Sequence, residues 1–159
     1  PVDINVVVND VLTLLEHQMK TSGIEVRKLL ASIRPVVVEG VEFKLQQVLT
    51  NLFLNAHDAM PNGGCLSVST LVVADQAVVE VTDTGLGIPA EHLSRIYDPF
   101  FTTKASGQGT GLGLSITYGV VQEHQGSIEC DSVVGQGTRF KLSLPLATAL
   151  KEDPVEAVH

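Results

Sequence analysis

Tryptophan is missing from the sequence, and aromatic residues fill only 4% of its 159 positions. Any core must therefore be assembled from Val, Leu and Ile. Cations are scarce as well: ten Lys and Arg stand against eighteen Asp and Glu, a formal net charge of −8. That balance excludes a general affinity for nucleic acid or for an anionic membrane surface. An anionic ligand would need local help from a metal, a helix end or a few placed cations. Cysteine occurs twice, at Cys65 and Cys130, far apart and with no ligand-like spacing. This fits free thiols in a reducing compartment. No run approaches the roughly 18 apolar residues of a membrane helix, and no charged-then-apolar leader marks a secretion signal, so the expectation is a cytoplasmic module.

What the chain does contain is 44% hydrophobic residues, enough for one compact domain. Apolar side chains recur at helical spacing over 3–20, with Asp3 placed as an N-cap. Short strands are predicted at 24–30 and 35–38, with Arg34-Pro35 between them. Residues 41–60 carry the longest helical pattern, closed by the turn Pro61-Asn62-Gly63-Gly64. A hairpin follows, with strands at 65–73 and 77–82. Residues 83–110 form a long Gly-, Pro- and Thr-containing stretch with a short helical piece near 90–96, and long connections are often functional. A helix over 112–124 and strands at 127–133 and 138–144 complete the domain, expected to span 1–147. Residues 148–159 read as a flexible tail. Strands mostly arrive in adjacent pairs, which predicts a two-layer α/β sandwich: a mixed, mostly antiparallel sheet of about five strands with three main helices on one face.

Three stretches carry chemical interest. In VEFKLQQVLTNLFLNAHDAM, 41–60, the apolar positions share one face, while Gln47, Asn51, Asn55 and Asp58 form a stripe along its flank. The plain reading is a solvated edge. Asn is a poor helix former, however, and two carboxamides one turn apart beside an apolar face also suit a site for oxygen ligation of Mg²⁺, which takes its other ligands from water and phosphates. In VVEVTDTGLGIP, 78–89, a strand ends in Asp83, and Gly85 and Gly87 turn the chain. Asp83 is either an ordinary turn residue or a carboxylate facing a pocket, where the glycines leave room for a ring. In YDPFFTTKASGQGTGLG, 97–113, Phe100 and Phe101 sit in a polar loop with Lys104, a candidate phosphate contact. Glycines at 107, 109, 111 and 113 then precede a helix. Such a loop is either a flexible connector or a backbone cradle for an anion at a helix N-terminus. The spacing fits neither the dinucleotide fingerprint nor the P-loop.

In order along the chain, NLFLNAHDAM, DTGLGIP, DPFFTTK and GTGLGLSI resemble the N, G1, F and G2 boxes of the catalytic, ATP-binding domain of bacterial sensor histidine kinases. GQGTRFKLSLP resembles the final glycine motif and last strand. The resemblance covers about residues 3–146, and its wording is similar to the nitrogen-regulatory sensor type. It implies the ATP-binding sandwich shared with gyrase, heat-shock chaperone and mismatch-repair ATPases. By this resemblance Asn55, and with it Asn51, would hold Mg²⁺ and phosphate oxygens. Asp83 would bond the adenine amino group in a pocket shaped by Gly85, Gly87 and Ile88, with Thr138 joining through water. Residues 98–110, with Phe100, Phe101, Thr103 and Lys104, would form a lid. Gly109, Thr110, Gly111, Leu112 and Gly113 would meet the phosphates.

Relatives of that fold that hydrolyse ATP carry glutamate where this chain has Asn51. A carboxamide has no titratable carboxylate and cannot act as general base, which favours transfer to a partner nucleophile over transfer to water. None of His17, His57, His92, His124 and His159 has the family's acceptor surroundings, so the phosphoacceptor is expected on a separate dimerisation domain, with a response-regulator receiver domain downstream. A same-fold nucleotide-binding module or ATPase remains the alternative. Two positions depart from the family: Val41 where many members have Asp after Gly40, and Asp58 where some have a phosphate-binding lysine.

Overall fold

A computed structural model describes residues 1–31, 35–98 and 113–147. Within these residues, seven strands and three α-helices follow the order β1 (Val2–Asp3), α1 (Ile4–Thr21), β2 (Ile24–Leu29), β3 (Val37–Val38), α2 (Glu42–Ala59), β4 (Gly64–Val73), β5 (Gln76–Asp83), α3 (Gly113–Glu123), β6 (Ser127–Val133) and β7 (Gly137–Pro145). A 3₁₀ turn at Ala90–Arg95 stands where the short helical piece is predicted. The main sheet has the order β2-β4-β5-β7-β6. Its β2–β4 pair is parallel and the other three are antiparallel. The predicted sandwich is therefore present, with one addition. The strand expected at 35–38 shrinks to β3 and leaves the main sheet, pairing with β1 instead.

Helix α1 begins where its sequence says it should. Asp3 is extended, and its Oδ1 accepts the Asn5 N–H at 3.0 Å. Ile4, Val7, Val8, Val11, Leu12, Leu15 and Met19 are buried along one stripe. Helix α2 buries Leu45, Val48, Leu49, Leu52, Phe53 and Ala56 in the same way. Period-two alternation aims Leu66, Val68, Val79, Val81, Phe140 and Leu142 at these helices. The opposite face of the sheet is polar. There Arg139 contacts Asp131 at 2.8 Å and Glu80 at 3.9 Å, exposed pairs that contribute little to stability.

Two local solutions were not legible in the sequence pattern. The β4–β5 hairpin turns on Ala74 and Asp75, both at positive φ (47° and 66°), with no glycine. Val41 occupies the α2 N-cap in the required extended conformation but provides no side-chain cap. Its own N–H instead donates to His124 Nε2 at 3.1 Å, while His124 Nδ1 faces the Val120 carbonyl at 2.8 Å. A carbonyl only accepts, so His124 is held as the neutral tautomer protonated at Nδ1. It ties the end of α3 to the start of α2. Val41→Ser adds the missing acceptor for the first-turn N–H groups and is expected to raise unfolding free energy by about 1 kcal/mol in urea melts. An unchanged midpoint would show that this helix end is already satisfied.

Candidate functional site

Three elements converge at one end of the sheet. The last turn of α2 meets the loop after β5: Leu86 N–H donates to the Ala59 carbonyl at 2.9 Å. The same loop meets the β6–β7 hairpin, where Gly135 N–H donates to the Leu86 carbonyl at 2.8 Å. Further back on α2, the Asn51 Nδ2 donates to the Gly113 carbonyl at 3.2 Å and contacts Thr117 Oγ1 at 3.3 Å. The Gly113 contact orients the amide, because that carbonyl can only accept. Asn51 thus joins α2 to the first turn of α3 while its amide oxygen points away from that contact. Asn55, one turn on, is half-buried, and among the described residues no group is paired with its side chain.

Asp83 is the buried carboxylate of this end, 4% exposed. Burial raises its pKa above the ordinary carboxylate value. The Gly85 N–H, 2.8 Å from Oδ1, and the Thr138 N–H oppose that shift by hydrogen bonding to the charged form. A carboxylate accepts up to about four such bonds, so acceptor capacity remains for a ligand. Thr138 is also buried and lies directly opposite Asp83 in the register. Cys130 lies on the same face two residues before Ser132. Its thiol is pushed up to about 12 by burial first, then by the charges of Asp131 and Asp83. It packs, partly buried, against the core.

Gly85 and Gly87 sit where the sequence puts them, but for a different reason. Room for a ring was expected at their side-chain positions. A Cβ at Gly85 would instead strike the Ala59 carbonyl, and one at Gly87 would strike the Val133 carbonyl. Gly87 also has φ +78°, which disfavours any L side chain. The two glycines let the loop lie flush against α2 on one side and β6 on the other. Gly87→Ala is expected to cost about 1–3 kcal/mol of stability, read as a lowered thermal midpoint. A midpoint equal to wild type would mean the loop is free to swing away.

Ile88 is part-buried against the core, and its N–H donates to Ser132 Oγ at 2.7 Å. Asp58 is exposed and contacts His57 Nδ1 at 3.1 Å, while His57 Nε2 reaches Ser22 Oγ at 2.8 Å at the end of α1. His57 is thus a clamp between two helices. Phe100, Phe101, Thr103, Lys104, Gly109, Thr110, Gly111 and Leu112 lie outside the described residues, as does the tail from 148.

Two residues escaped the sequence reading. Ser132 contacts Ile88, Gly137 and Thr138, yet in sequence it is one polar residue in an alternating strand. Tyr97 packs on Tyr118 with ring centroids 5.2 Å apart, and burial raises its phenol pKa. Its hydroxyl is buried with no partner among the described residues. Only the fold brings these groups together.

The model of the family described as "Histidine kinase-, DNA gyrase B-, and HSP90-like ATPase" matches residues 40–148. The chain is 49% identical over 117 residues to sensor kinase CckA of Brucella abortus, covering 64% of this chain and 12% of that protein. It is 38% identical over 143 residues to sporulation kinase C of Bacillus subtilis, covering 90% of this chain and 33% of that protein. It therefore spans a third or less of the length of these curated relatives. Among solved structures, the nucleotide-free catalytic domain of histidine kinase ThkA superposes with a TM-score of 0.81 at 31% identity, covering 91% of this chain and 93% of that one. ThkA in complex with the response regulator TrrA superposes with a TM-score of 0.78 at 27% identity, covering 92% and 41%.

Proposed function

We propose, because the chain belongs to the histidine kinase-, DNA gyrase B- and HSP90-like ATPase family, that it is the ATP-binding catalytic domain of a sensor histidine kinase. In this reading it holds Mg²⁺-ATP and presents the γ-phosphoryl group to a histidine on a separate dimerisation domain, for relay to an aspartate of a response-regulator receiver domain. The observation that carries it is the buried Asp83, kept short of acceptor saturation, at the sheet end where the last turn of α2, the loop after β5 and the β6–β7 hairpin meet. Asp83 accepts from the base amino group. The oxygens of Asn55 and Asn51 face metal and phosphate along the α2 flank, hard neutral donors of the kind magnesium accepts in small number beside phosphate. When bound, the metal neutralises phosphate charge. Gly113 opens α3, whose N-terminal dipole favours an anion.

Phosphoryl transfer of this kind rests on positioning and electrostatics. The chain provides no base at Asn51, whose amide nitrogen is committed to Gly113 and Thr117. That favours a kinase over a hydrolase of the same fold. The test supplies an acceptor domain from a homologous kinase in trans with γ-labelled ATP. Label should appear on the acceptor histidine, acid-labile and base-stable, with little phosphate released. Steady phosphate release without a labelled acceptor would favour the ATPase reading.

A further inference from the structure

Among the described residues, Ser132 ties together the loop, the hairpin and the strand that surround the Asp83 end of the sheet. Its Oγ lies 2.7 Å from Ile88 N, 2.9 Å from the Gly137 carbonyl and 2.8 Å from Thr138 Oγ1. These three contacts determine where the protons are. The Ile88 N–H can only donate, and the Gly137 carbonyl can only accept. Ser132 has a single proton, so that proton goes to Gly137. The contact with Thr138 then requires the Thr138 hydroxyl to donate to Ser132. The register places Thr138 between Ser132 and Asp83 across three neighbouring strands, on the face turned toward the helices. With its proton turned to Ser132, Thr138 has only lone pairs for a ligand. Asp83, ionised, also only accepts.

We propose that Ser132 is a positioning residue for nucleotide selection: by holding the Thr138 proton it makes Asp83 and Thr138 one acceptor-only edge. This rests on the reading of Asp83 as the base contact. Such an edge favours a purine carrying an exocyclic amino donor at C6 and disfavours one carrying a carbonyl there. Ser132 also anchors Ile88, which keeps the loop after Asp83 in place beside that edge. Without the serine hydroxyl, Thr138 can turn its proton toward the ligand, and a C6 carbonyl gains a donor.

The experiment compares Mg²⁺-ATP and Mg²⁺-ITP affinities by calorimetry for wild type, Ser132→Ala and Ser132→Thr. ITP differs from ATP at C6 and N1 alone, and the affinity ratio is insensitive to the folded fraction of each sample. Ser132→Ala is expected to shrink the ATP preference by about 3- to 10-fold, the worth of one neutral hydrogen bond. Ser132→Thr keeps the hydroxyl and should restore the preference. A ratio unchanged in Ser132→Ala, with both nucleotides weakened equally, would overturn the proposal and leave Ser132 a loop anchor only. If Ser132→Ala does not fold, Thr138→Val serves in its place: a ratio equal to wild type would equally overturn it. Wild type that binds ATP no better than ITP would sink the reading of Asp83 as the base contact itself, a separate failure.

Discussion

Asp83→Asn is expected to weaken Mg²⁺-ATP binding by about 10- to 100-fold, the cost of losing a charge-assisted hydrogen bond, while the fold stays intact. The two effects separate because burial penalises the ionised side chain. A raised pKa means the folded protein holds this proton more tightly than the unfolded chain does. Its contribution to stability is therefore present at acid pH and lost as pH rises through the folded-state pKa. At neutral pH the substitution removes a buried charge and weakens one backbone contact, from Gly85 or Thr138. These oppose each other, so urea melts should place the variant within about 1 kcal/mol of wild type. As the proposed base contact, the same carboxylate is expected to give ATP binding a pH dependence. Affinity should fall on acidification, and the fall should begin at higher pH than for a solvent-exposed aspartate. A calorimetric series from neutral to acid pH reads both. Wild-type ATP affinity in the Asp83→Asn protein would remove this side chain from the site.

Asn55→Ala is expected to cost roughly tenfold or more in ATP affinity when Mg²⁺ is present and little when the metal is chelated. Asn55 stands half-buried on the flank of α2, one turn from the Asn51 that ties α2 to α3. In the proposed reading a carboxamide oxygen there serves as a metal ligand or a phosphate neighbour, and the chelator distinguishes them. Asn55→Asp keeps an oxygen donor and should retain metal dependence. Equal losses with and without Mg²⁺ would show that Asn55 meets the nucleotide and not the ion.

The helices were legible because each announces itself locally. Asp3 caps α1, and most apolar stripe positions of α1 and α2 are buried, although Leu14 and Val41 are exposed and Phe53 joins the buried face of α2 from outside the stripe. Strand β4 alternates over 66–70, β5 buries Ala77, Val78 and Val79 in a row before it alternates, and Asp83 at its end is buried on the helix-facing side. What stayed hidden depends on long-range pairing. The parallel partnership of β2 with β4 joins strands separated by a whole helix, and no periodicity within either strand encodes it. Strand β3 reads as a strand and is one, but only its register with Val2 and Asp3 shows that it belongs to a separate two-stranded piece. The site follows the same rule. Asp83, Asn51 and Asn55 stand out by residue type against their local pattern. Ser132 does not, because its importance comes from lying across the sheet from Thr138 and beneath Ile88. Gly85 and Gly87 were visible as glycines, yet the bodies pressing on them, Ala59 and Val133, are distant in sequence.

The most direct test is a crystal structure of this chain with Mg²⁺ and a non-hydrolysable ATP analogue. The base amino group should lie within hydrogen-bond distance of the Asp83 carboxylate, with the triphosphate running along α2 past Asn51 and Asn55. A nucleotide bound elsewhere, or one whose base lies against the Asn55 flank with its phosphates at Asp83, would contradict the account.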